Sequence, residues 1–205
     1  MEKDDPAWGT MALVTEASDG ISYRTASVQD HWNNAILNFW DDFSDDGVLE
    51  DVHSQIEDDP MASLSVKKRI APGQTETFTF FLVWNFPNRK AWSPSVVGNY
   101  YSSKYEDAWD AAEKIVPQIP NLEEQTLSFV NAFLNSSYPD VIKEAALFNL
   151  ATLRSQTVFR LPSGHMMGLE GVMDRLGSWA GSCTHVCNYE VATPFLFGDL
   201  ARSMR

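Results

Sequence analysis

The chain has 205 residues, 44% of them hydrophobic and 21% charged, ordinary values for a globular protein long enough to bury a core. Lys and Arg number 15 against 28 Asp and Glu; the net charge of −13 falls wholly in residues 1–60, where 15 acids meet 2 bases, while residues 61–205 carry 13 of each. With no basic surplus, no run near the roughly 18 apolar residues of a membrane span and no basic-then-apolar leader, the sequence excludes nucleic-acid binding, a membrane-spanning helix and a visible secretory signal. Two cysteines, Cys183 and Cys187, are too few for a disulfide framework. The expectation is a soluble, cytoplasmic protein.

Residues 11–15 and 21–26 are apolar and β-rich, and Ser18-Asp19-Gly20 between them predicts a hairpin. Over 27–43, Trp32, Ile36, Phe39, Trp40 and Phe43 recur on one helical face. The acidic stretch 41–59 has Gly47 as its one glycine, and its carboxylates do not follow calcium-loop spacing. It reads as a solvated, loop-rich face. From 61 to 86 the pattern is strand again. Leu64, Val66, Lys68 and Ile70 alternate with Ser63, Ser65, Lys67 and Arg69, then Ala71-Pro72-Gly73-Gln74 turns the chain into an aromatic run ending Val83-Trp84-Asn85-Phe86. That predicts a second hairpin.

After residue 100 the period becomes helical. Tyr105, Ala108, Trp109, Ala112, Ile115 and Val116 form a stripe opened by Ser102-Ser103 and stopped before Pro117. Leu122, Phe129, Val130, Phe133 and Leu134 form a second, and Val141, Ala145, Phe148, Leu150 and Leu153 a third, opened by Tyr138-Pro139-Asp140. Strands first and helices second predict an α+β chain or two separate domains, with a boundary near Pro117–Pro120.

Several residues could carry chemistry. Cys183, His185 and Cys187 have thiolate and imidazole ligands for zinc, but a structural site needs four and no second pair exists, so buried apolar cysteines are the simpler reading. His31 and His53 lie in polar surroundings and carry no signal. Trp84 ends a strand pattern and Trp109 sits on a helical stripe, so both are expected in the core. Trp179, in the glycine-punctuated run 177–182, has no periodic face to pack on and is a candidate cleft wall offering an apolar ring face to a sugar. Glu170 follows the apolar Met166-Met167-Gly168 run; an enclosed carboxylate there would suit acid–base or nucleophilic work, and a carboxylate at a helix end is the alternative.

The run Gly181-Ser182-Cys183-Thr184-His185-Val186-Cys187-Asn188-Tyr189-Glu190, with 195–205 after it, resembles glycoside hydrolase family 116, the β-glucosidases that include the non-lysosomal glucosylceramidases. Upstream, Phe81-Leu82-Val83-Trp84-Asn85-Phe86-Pro87-Asn88 and Gly98-Asn99-Tyr100-Tyr101 are similar to its N-terminal β domain. The resemblance spans roughly 60–205, and the 181–205 block is the specific part. It departs at Cys187, where bacterial-type members usually have Trp, and at Val191, where many have Gln.

The resemblance implies the C-terminal part of a β-sandwich, residues 1–118, followed by the first helices of an (α/α)6 barrel, residues 119–205. It implies hydrolysis of β-glucosides, glucosylceramide-like or small, with retention, which uses a nucleophile and an acid/base carboxyl about 5–5.5 Å apart. Leu169-Glu170-Gly171 matches the family's Leu-Glu-Gly run, which makes Glu170 the nucleophile. Cys183-Thr184-His185-Val186 stands where those members carry Thr-Tyr-Asp-Val, so His185 replaces an Asp that binds glucose hydroxyls. Thr184, His185 and Trp179 are the implied substrate contacts. No cofactor and no metal is implied; the partners are a β-glucoside or glycolipid substrate, with peripheral membrane contact, and no nucleic acid. The acid/base Asp lies well over a hundred residues past the Leu-Glu-Gly run, so the chain reads as an internal fragment that is inactive alone. The alternative is a non-catalytic carbohydrate-binding or structural module of the same fold.

Overall fold

The structure is a computed structural model, and it describes residues 2–28, 32, 34–53, 61–90, 95–155, 157–169, 171–172, 177–178 and 193–204. It mixes α and β with small sheets, consistent with α+β. The chain divides into two compact units, one of Met11–Val83 and one of Glu2–Thr10 with Trp84–Arg205.

The first unit holds most of β1 (Thr10–Thr15) and β4 (Phe80–Asn85), with β2 (Ile21–Arg24), helix α1 (Ala35–Asp46) and β3 (Ser63–Val66) between them. All four strands fall where the alternation predicts them, but their partners differ from the expected hairpins. β1 pairs with β4, and β2 pairs antiparallel with β3, Ile21 opposite Val66 and Arg24 opposite Ser63. The reason is local. Thr15 Oγ1 accepts the Ala17 amide and donates to Thr79 O, which ends β1 against the later strand rather than turning it onto β2. Gly20, at a left-handed φ of 66°, then offers its carbonyl to the Lys67 amide and extends the β2–β3 ladder.

Helix α1 begins at Ala35, later than the apolar spacing suggests, and Gly47 ends it in the left-handed conformation with its amide on Phe43 O. Phe39 and Phe43 stack at 5.9 Å, whereas Ile36 and Trp40 face solvent. The acidic stretch therefore starts on a helix rather than in a loop, and one of its carboxylates turns inward. Buried Arg24 is held by Asp42 Oδ2 at 2.8 Å, Asn38 Oδ1 at 2.9 Å and Glu50 O at 3.0 Å, which satisfies a cation that would otherwise be costly to bury.

In the second unit α2 spans Ala108–Ile115 and α3 spans Ile119–Leu134, joined by a short 3-10 turn at Val116–Gln118 that Pro117 does not interrupt. Asp107, not Ser102 or Ser103, caps α2 through the Asp110 amide. Its buried face is Ala108, Ala111 and Ala112. Trp109 is 59% exposed with its indole N–H on Glu113, and Trp84 is 51% exposed, so both lie outside the core expected for them. Helix α4 (Asp140–Leu150) follows. A hairpin the sequence reading did not anticipate comes next, β5 (Val158–Arg160) antiparallel to β6 (Met166–Gly168). Beyond it, β7 (Gly171–Val172) pairs with β8 (Gly177–Ser178), and helices α5 (Thr193–Leu196) and α6 (Gly198–Ser203) close the described chain. Among the described residues no helix is long and apolar enough to cross a membrane.

Candidate functional site

Glu170, Trp179, Thr184 and His185, with Cys183, Cys187 and Glu190, lie outside the described residues. The structure does describe the elements on either side of them, and those elements converge.

The convergence starts at the end of β4. Phe86 is gripped by the segment 98–101: Tyr101 Oη accepts the Phe86 amide and donates to Phe86 O, both at 3.1 Å, and Asn99 Nδ2 donates to the same carbonyl at 2.9 Å. Gly98, at φ 75°, permits the approach of Pro162, because a Cβ there would lie 2.9 Å from the proline ring. The Tyr100 amide then donates to Arg160 O at 2.8 Å and fastens this segment to the β5–β6 hairpin.

The hairpin is the best-buried part of the unit. Phe159 and Leu169 form its core, with Val97, Leu161 and Met167 packed around them. Leu169 is 1% exposed, and its amide donates to Thr157 O at 2.9 Å. The Arg89 guanidinium lies 4.3 Å from the Phe159 ring centroid. Burial pushes its pKa down while Tyr101 raises it; an arginine so placed stays charged. Residue 170 thus follows directly on a side chain anchored in the core, and β7 begins directly after it.

Contact with the C-terminal helices completes the arrangement. The Met166 amide on β6 donates to Ser203 Oγ at 3.0 Å, and that hydroxyl donates to Leu200 O, so α6 is tied to the strand that leads to Leu169. The hairpin before the Leu-Glu-Gly run and the helices after the Cys-Thr-His-Val run are therefore neighbours, although 37 residues separate Met166 from Ser203.

One cluster escaped the sequence reading. Arg160 Cζ lies 3.9 Å from the Tyr100 ring centroid and Lys104 Nζ lies 4.7 Å from it, with Arg160 Nε donating to Gly164 O. The turn signal Pro162-Ser163-Gly164 between two short β-rich runs could have revealed the hairpin that carries Arg160.

Comparison with known proteins gives one family. Residues 1–122 match the model described as beta-glucosidase 2, glycosyl-hydrolase family 116 N-term. No curated protein matches the chain.

Proposed function

The chain belongs to glycosyl-hydrolase family 116, and from that membership we propose that it carries the nucleophile side of a retaining β-glucosidase site, with Glu170 as the attacking carboxylate. The observation that carries the reading is the pairing of Met166 with Ser203. It sets the flanks of the two motifs side by side, as a sugar site built from both requires. Leu169 supports it: a nucleophile needs a fixed approach to the anomeric carbon, and a buried neighbour restrains the backbone from which it projects.

In this reading Glu170 attacks the anomeric carbon as the glycosidic bond breaks, forming a covalent glycosyl-enzyme that water later releases. Thr184 and His185 bind sugar hydroxyls, and His185 does so without the negative charge of the Asp it replaces, which alters charge and reach. Trp179 offers an apolar face to the ring. The substrate is a β-glucoside, small or glucosylceramide-like, met in the cytoplasm with peripheral membrane contact for the lipid case. Residues 1–118 form part of a β-sandwich domain and 119–205 the first helices of an (α/α)6 catalytic barrel.

The test isolates glycosylation. A 2-deoxy-2-fluoro-β-glucoside with a dinitrophenolate leaving group needs no acid catalyst to depart, so labelling requires only the nucleophile and the sugar site. Incubation followed by peptide mass spectrometry is expected to place the label on Glu170 and not on Glu190. Glu170→Gln, which keeps shape and hydrogen-bonding capacity but loses the charge, should abolish it. A label on Glu190, or undiminished labelling in Glu170→Gln, overturns the assignment.

A further inference from the structure

Tyr100 carries two cations and no acid. The Arg160 guanidinium stacks at 3.9 Å from the ring centroid and the Lys104 ammonium sits at 4.7 Å. Both side chains are exposed, and among the described residues neither pairs with a carboxylate. In a chain with net charge −13, two cations without a carboxylate partner share this one ring. Elsewhere in the same unit Lys114 pairs with Asp110, Lys143 with Asp140 and Arg202 with Asp199.

Arg160 is also held in orientation. Its Nε donates to Gly164 O at 2.9 Å, its backbone carbonyl accepts the Tyr100 amide, and its Cζ lies over the ring. Those ties restrain the guanidinium, and no described residue accepts from the Nη groups at its other edge. Gly164, at φ 91°, keeps that edge open. A Cβ at this position would lie 3.6 Å from Arg160 Nη2 and 4.0 Å from the Tyr100 ring, so the missing side chain leaves space bounded by both. His165 is exposed on the same turn, its Nδ1 3.0 Å from Ser163 Oγ.

We propose that Arg160, Lys104 and Tyr100 form a binding site for a tetrahedral oxyanion, a phosphate or sulfate group carried by a small soluble ligand. A planar carboxylate is satisfied by an arginine fork alone, whereas a tetrahedral dianion has further oxygens and charge for the lysine. The proposal does not rest on the role of Glu170.

The experiment is equilibrium dialysis of the 205-residue chain against radiolabelled inorganic phosphate, with circular dichroism to verify that each variant is folded. One saturable site per chain is expected, competed by sulfate and not by chloride at equal ionic strength. Arg160→Lys keeps the charge but loses fork and stack, and should weaken binding about tenfold. Lys104→Gln should weaken it about threefold, on the scale of one exposed charge contact. Lys143→Gln, which removes a cation already paired on α4, should change nothing. Binding without saturation, equal losses in Lys104→Gln and Lys143→Gln, or unchanged binding in Arg160→Lys overturns the site. Vesicles containing phosphatidylserine separate the sources of the phosphate: retention on vesicles with no uptake of free phosphate overturns the soluble ligand.

Discussion

Leu169→Ala tests whether the hairpin core holds the residue before Glu170 in place. The substitution removes three carbons from a side chain that is 1% exposed and packed on Phe159, Val97, Leu161 and Met167. Transfer of those carbons to water accounts for about 2–3 kcal/mol at roughly 0.8 kcal/mol per buried methylene. The cavity left behind adds to this, because Phe159 is pinned by the Arg89 stack and β5 by its ladder with β6, so the site cannot collapse freely. The total should be about 3–5 kcal/mol, a large part of the stability of an ordinary domain. Urea unfolding followed by far-UV circular dichroism measures the total, and hydrogen exchange of the peptide spanning 157–169 localises it. Protection of the Leu169 amide, now bonded to Thr157 O, should fall by at least a hundredfold, the factor that about 3 kcal/mol implies. Leu169→Met, which conserves volume, should cost under about 1.5 kcal/mol. If Leu169→Ala loses less than about 1 kcal/mol, or exchange rises no faster at 157–169 than on the helices, the hairpin core does not anchor this backbone.

Four further outcomes follow from contacts elsewhere in the fold. Gly20→Ala should cost more than Gly73→Ala in urea titrations. Both glycines have left-handed φ, 66° and 77°, and share a conformational penalty of about 1–2 kcal/mol, but only at Gly20 would the new Cβ collide with a backbone oxygen, that of Lys67. Asp42→Ala should destabilise by about 3–5 kcal/mol, since it strips the counter-charge from buried Arg24, whereas Asp41→Ala on the same helix should be near neutral. Asp107→Ala should cost about 1 kcal/mol through loss of the α2 cap. The acid limb of stability has a defined place. Hydrogen bonds from the Thr25 amide and hydroxyl hold the Asp51 carboxyl below its ordinary 3.8, and the Lys114 ammonium does the same for Asp110. A depressed carboxylate stabilises the fold above its unfolded pKa and loses that contribution as pH falls through its folded value, so both contributions should persist down to 3.8 and fade below it in acid titrations followed by circular dichroism.

Strand positions were legible in the sequence and strand partners were not. Alternation states which face of a strand is apolar and is silent about its neighbour. The cues that accompany the β1–β4 pairing are single hydrogen bonds at Thr15, one accepted from the Ala17 amide and one donated to Thr79 O, invisible to periodicity. The same limit appears at α2. Ser102 and Ser103 look like its opening, but their hydroxyls bond Asn99 O and Tyr100 O in the preceding turn, and Asp107 takes the cap. Trp109 shares a stripe with Ala108 and Ala112, yet close packing on that face admits only alanine and leaves the indole at the rim with Glu113. The β5–β6 hairpin was missed because three-residue strands are too short to show a period. At the candidate site, residue types could suggest a carboxylate with catalytic potential, but the choice of Glu170 as nucleophile came from resemblance. No arithmetic of spacing distinguishes one glutamate in a glycine-rich run from another.

The family match ends at residue 122, but the packing does not. Phe86, Asn99 and Tyr101 lie within the matched part, and through Tyr100 they are bonded to Arg160, 38 residues beyond its edge. Val97, also within it, packs on Leu169 and Phe159. Arg89 stacks on Phe159 from the same side of the boundary. Phe86, Arg89 and residues 97–101 therefore act as the bed on which the Leu169 hairpin lies, and the hairpin in turn holds α6 through Ser203. Each link is a backbone or side-chain hydrogen bond, a buried apolar contact or a cation over a ring, interactions that hold geometry within a few tenths of an ångström rather than steer charge over distance. An N-terminal segment that grips the hairpin in this way holds the chain up to Leu169, and at Tyr100 it meets Arg160, an exposed cation that pairs with no carboxylate among the described residues.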